Sequence, residues 1–118
     1  MVTLSKHFRS AEFACKDACG LLVIDPQLVI CLERLREAIK RPIPIVSGYR
    51  CCAHNAKVNG ASRSRHTTGE AADIPTSVYV SVREAKAAGF TGIGYDAKTG
   101  IVRHVDVRTA GAPVVWQY

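Results

Sequence analysis

Ile101-Val102-Arg103-His104-Val105-Asp106-Val107-Arg108 reads as a β-strand, since residues two apart share one face of a strand and polar and apolar positions alternate here. His104, Asp106 and Arg108 then point one way. Ile101, Val105 and Val107 point the other way, into a core, with Arg103 as the exception. Phe90 to Tyr95 reads as the preceding strand, and Asp96-Ala97-Lys98-Thr99-Gly100 as the hairpin loop joining the two.

Working outward, Glu70-Ala71-Ala72-Asp73-Ile74 reads as a further strand ended by Pro75, and Ile43, Ile45 and Ser47 alternate into a short one. The main helix is expected between Asp25 and Lys40. Asp25 can cap it, Pro26 suits a first turn, and Leu28, Leu32, Leu35 and Ile39 recur on one face. Cys31 and Ala38 widen that stripe, while Glu33, Arg34, Arg36, Glu37 and Lys40 take the other side. Pro42 and Pro44 follow its end. Val82 to Ala88 reads as a second helix with Ser81 as N-cap and Gly89 as stop. Short helical turns are expected after Ser10, as N-cap, and over Ala53 to Val58. The stretch from Cys51 to Arg65 reads as a site-forming loop.

A chain of 118 residues is expected to form one domain spanning 1–118, because two halves would each be too small to bury an adequate core. The run Leu21-Leu22-Val23-Ile24 stops at Asp25-Pro26, far short of a membrane span, so no membrane insertion is expected. Met1 to Phe8 lacks an apolar stretch with a cleavage site, so synthesis without a secretory signal is expected. A net charge of +6 favours polyanionic partners. The basic residues are spread out and form no nucleic-acid motif, which leaves solubility or affinity for an acidic wall, and no nucleic acid, as the expectation. Five cysteines make an odd set, with Cys51 and Cys52 adjacent, so reduced thiols are expected. A structural zinc site from Cys15, Cys19, Cys51, Cys52 and His54 lacks the usual ligand spacing.

His66, Asp73 and His104 offer two imidazoles and a carboxylate, the three protein ligands a catalytic zinc needs while keeping one position open. Alone, His66 is a loop residue and Asp73 a turn former. Together with the polar face of the His104 strand they form a candidate metal site.

The segments Ser47-Gly48-Tyr49-Arg50-Cys51, His54-Asn55, Ser64-x-His66-x-x-Gly69-x-Ala71-x-Asp73 and His104-x-Asp106-x-Arg108 resemble the M15 zinc peptidases over nearly the whole chain. That family includes D-alanyl-D-alanine carboxypeptidases and phage L-alanyl-D-glutamate endopeptidases. The resemblance implies an α+β fold, with helices on a small antiparallel sheet and one catalytic Zn2+ in a cleft, held by His66, Asp73 and His104. It implies a peptidoglycan stem peptide as substrate, and the protein is expected to be a monomer. Arg50 resembles the family arginine that stabilises the oxyanion or binds a substrate carboxylate, and Ser64 is a second candidate for substrate binding. Asp106 is the candidate general base, with orienting a ligand or pairing with Arg108 as its alternatives and Asp96 as a weaker substitute. A wall substrate combined with no signal implies a phage or prophage protein acting at the bacterial cell wall or carried on a virion.

Overall fold

The computed structural model describes residues 3–15, 22–58, 64–109 and 111–118, without the side chains of residues 52–54. The fold is α+β: the described residues form three α-helices, two short 3-10 turns and a four-stranded mixed sheet. Among the described residues no helix is long and apolar enough to cross a membrane.

Helix α1, Pro26–Ile39, begins where Asp25 accepts a hydrogen bond from the Gln27 amide and Pro26 occupies the first turn. It buries Leu28, Cys31, Leu32 and Leu35 against Phe8, Phe13, Ile93 and Val105. Ala38 lies exposed rather than widening the stripe. The helix ends on Lys40 in the left-handed region (φ 56°), two residues before Pro42. Helix α2 is Cys52–Lys57. Helix α3, Val82–Ala87, carries the expected cap, a reciprocal box in which the Ser81 hydroxyl accepts from the Glu84 amide and Glu84 from the Ser81 amide. The opening turn, Ser10–Phe13, takes Arg9 as its N-cap and places Ser10 inside it, because Glu12 reaches back to the Arg9 amide.

Strands β1 (Ala71–Asp73), β2 (Gly92–Tyr95), β3 (Val102–Asp106) and β4 (Val114–Gln117) lie in the order β1-β3-β2-β4. The β2–β3 and β1–β3 pairs are antiparallel, as expected. The β2–β4 pair is parallel, so the sheet is mixed and the all-antiparallel expectation is corrected. The reason is topological. β3 returns the chain to the start of β2, where Asp106 faces Gly92, and a strand entering beside β2 from that end runs in β2's direction.

The expected strand over Ile43 to Ser47 reduces to one bridge, Ser47 to Asp73, because Pro42 and Pro44 have no amide proton to give a ladder. That bridge still lays the Ser47–Arg50 segment against β1. Gly48 permits it: a Cβ there would come within 2.7 Å of the Phe13 backbone, whose carbonyl accepts from the Tyr49 amide.

Arg103 explains its own exception. Gly94 pairs with His104 and Tyr95 with Val102, so Arg103 is an extra residue on β3, a β-bulge. The bulge resets the alternation. Val102 and Val105 both enter the core, Arg103 is exposed, and Ile101 is left half-buried.

Candidate metal centre

Three neighbouring elements bring the predicted ligands together. His66 sits on a 3-10 turn, Arg65–Thr68, capped by Ser64, whose hydroxyl accepts from the His66 amide. Asp73 ends β1, and its backbone pairs directly with His104 on β3. His66 Nε2 lies 3.1 Å from Asp73 Oδ1, and His104 Nδ1 lies 3.0 Å from the same oxygen. One donor atom from each of the three residues falls within 4.8 Å of the others, so the set could hold a metal ion.

The outward nitrogens decide which atoms face inward. His66 Nδ1 donates to the Gly48 carbonyl at 2.7 Å, which leaves the Nε2 lone pair toward Asp73. His104 Nε2 donates to Asp106 Oδ2 at 2.8 Å, which leaves the Nδ1 lone pair toward Asp73. Two lone pairs aimed at one carboxylate oxygen repel unless a cation or a proton lies between them. Tetrahedral zinc with ordinary ligand distances separates its donors by roughly 3.4 Å, within a few tenths of an ångström of what this site offers. The donor set therefore fits the ion. In a metal-free site a proton on His104 takes the place of the cation on that side. Burial disfavours charge on His104, but hydrogen bonds to Asp106 and Asp73 outweigh it and raise the imidazole above its ordinary value. Burial likewise pushes the Asp73 carboxyl up, yet hydrogen bonds and charge from His104 and His66 hold it well below the usual range.

Asp106 lies behind His104. It is fully buried, with Oδ2 engaged by His104 and by Arg108 Nη2 (2.6 Å) and Oδ1 by Arg108 Nε (2.9 Å). These bonds, against the cost of burial, hold its carboxyl well below the ordinary range. A carboxylate gripping the far nitrogen of a ligand histidine fixes its tautomer and ring plane. Of the roles open to Asp106, orienting the ligand and pairing with Arg108 are the ones its contacts match. Asp96 forms the hairpin turn, accepting from the Lys98 amide.

Two supporting residues have no place among the sequence motifs. Gly92 faces Asp106 across the β2–β3 pair, and any Cβ there would overlap the Asp106 carboxylate. The Trp116 ring on β4 lies 5.0 Å from the His104 ring, tilted at 50° to it, with the Arg108 guanidinium 5.2 Å over the indole. A glycine inside a strand does signal close approach. Trp116 is the chain's single tryptophan, and β4 joins the sheet only by pairing in parallel with the distant β2.

Arg50 donates from Nε to Ser47 Oγ, from Nη1 to Asn55 Oδ1 and from Nη2 to Asp73 Oδ2, so it anchors the Asp73 oxygen turned away from the histidines. The His54 side chain and all of Cys19 fall outside the described residues. The Cys15 and Cys51 sulfurs lie 3.7 Å apart. His7 is only partly exposed. Its Nδ1 meets Glu33 at 2.6 Å and ties the N-terminal segment to α1.

Two imidazoles and one carboxylate, each backed by a hydrogen-bonded partner, make the donor set of a metal-dependent hydrolase. The model of the family described as Peptidase M15 matches residues 6–106, and the chain belongs to that family of metallopeptidases. A search of curated proteins finds no match.

Proposed function

We propose that this protein is a zinc-dependent peptidase that cleaves the peptide stem of peptidoglycan, as a D-alanyl-D-alanine carboxypeptidase or an L-alanyl-D-glutamate endopeptidase. The observation that carries the zinc assignment is the convergence of His66 Nε2, His104 Nδ1 and Asp73 Oδ1, with the other nitrogen of each ring already donating elsewhere. Family membership carries the peptidase assignment. The stem peptide as substrate is supported by the motif resemblance and by the net charge of +6, which suits an acidic wall polymer.

The ion, when bound by His66, Asp73 and His104, supplies Lewis acidity toward a scissile carbonyl and activation of water at neutral pH. The chain's own residues set the geometry. Gly48 and Asp106 hold the two rings in their ligating tautomers, and Arg50 fixes the Asp73 carboxylate. Arg50 keeps further N–H donors for a substrate oxygen, and the Ser64 hydroxyl retains a proton to give. We assign Asp106 to positioning His104 rather than to proton transfer. The enzyme acts as a monomer at the bacterial wall, reached through phage or prophage release.

The burial of Asp106 favours one second reading, a zinc-containing wall-binding module without turnover. Mass-spectrometric mapping of purified peptidoglycan after incubation with zinc-loaded protein decides between them. New fragments that vanish with chelator support the peptidase, and their termini name the bond. Intact stems alongside wall binding and stoichiometric zinc support the module.

A further inference from the structure

A cleft of about 400 Å³ opens directly beside the Asp73 ligand, bounded by Val46, Ser77, Arg103 and Tyr118. The arginines around the metal centre are not equivalent. Arg50 is held by Ser47, Asn55 and Asp73. Arg108 is clamped on both oxygens of Asp106. Arg103 differs: its guanidinium lies 4.5 Å over the face of Tyr118, and among the described residues no carboxylate pairs with it. The β3 bulge is what turns this side chain out of the core and onto the cleft wall.

A guanidinium seated on an aromatic face keeps its N–H edge free, and that edge matches a carboxylate through two parallel hydrogen bonds. Tyr118 holds the group in place and so lowers the entropy lost on binding. Ser77 on the same wall adds a hydroxyl.

We infer that Arg103, positioned by Tyr118, forms a subsite that takes a carboxylate of the substrate one residue or more from the scissile bond. The inference rests on the peptidase reading for its substrate. The chemistry is shared by two sources in a stem peptide, the C-terminal carboxylate and the free carboxylate of D-glutamate.

The probe is the stem pentapeptide with each of those carboxylates free or amidated in turn. Stopped-flow tryptophan fluorescence of the zinc-loaded protein reads binding before turnover, and initial rates follow on the same samples. Amidating the recognised carboxylate should weaken binding by about tenfold, Arg103→Ala should erase that preference, and Arg103→Lys should restore part of it. Which amidation matters names the source. Equal binding of all forms by the wild type, or a preference that survives Arg103→Ala, overturns the subsite. Carboxylate-selective binding without cleavage upholds the subsite and sinks the peptidase reading.

Discussion

Gly92→Ala is the substitution that tests the support behind His104 most sharply. The added methyl overlaps the Asp106 carboxylate, which must retreat by roughly an ångström or more to regain van der Waals contact. It has nowhere to retreat. The side chain is fully buried and gripped at 2.8 Å by His104 and at 2.6 and 2.9 Å by Arg108. Overpacking alone costs about 1–3 kcal/mol. Breaking a buried charge pair costs about 3–5 kcal/mol, so the larger figure governs if Asp106 is expelled. A domain of this size loses roughly 3–6 °C of melting temperature per kcal/mol, which puts the expected drop at roughly 10 °C or more once Asp106 is expelled. Loss of the His104 anchor should also weaken zinc binding by about 10- to 100-fold. Thermal unfolding with and without zinc, together with competition against a chromogenic chelator, measures both. Adding Asp106→Gly to Gly92→Ala should relieve only the overpacking cost and should not recover zinc affinity, since the clash is gone but the pair with Arg108 and the anchor of His104 are still missing. Gly92→Ala with wild-type melting and zinc affinity refutes the packing argument.

Three further outcomes are expected. Zinc titration should change the emission of Trp116, whose ring lies 5.0 Å from the His104 ring, and His66→Ala should abolish the change at stoichiometric zinc; a flat trace in the wild type would separate Trp116 from the metal. The metal-free protein should be most stable between about pH 4 and 6.5. Asp73 and Asp106, depressed, contribute above their unfolded pKa and lose that contribution as pH falls through their folded values, while His104, raised, contributes below its unfolded pKa and loses it as pH rises through its folded value. A melting temperature that climbs steadily from pH 6 to 9 without metal would contradict this sign. Ser81→Ala removes the α3 cap and should cost about 1 kcal/mol in denaturant unfolding with zinc affinity unchanged.

What the sequence disclosed follows from how local each signal is. Helix α1 announces itself because its cap, its first-turn proline and its apolar spacing lie within one short segment. The three candidate ligands are legible because a strand's alternation puts His104 and Asp106 on one face, and because the His66 and Asp73 motif is contiguous. β4 is four residues long and gains its place only by pairing in parallel with a distant strand, which no local pattern encodes. The bulge at Arg103 looks in sequence like a flaw in alternation, and only the cross-strand register reveals it as an inserted residue. Asp106 presents the same carboxylate to a sequence reader whether it faces water or the back of an imidazole. Burial and the missing Cβ of Gly92 give it the second role.

Zinc K-edge X-ray absorption on the protein loaded with one equivalent of zinc tests the metal centre most directly. The account predicts a first shell of nitrogen and oxygen at about 2.0–2.2 Å with imidazole scattering from two histidines, reduced in His104→Ala. A shell dominated by sulfur at about 2.3 Å would place the ion on the cysteines and contradict the assignment of His66, Asp73 and His104.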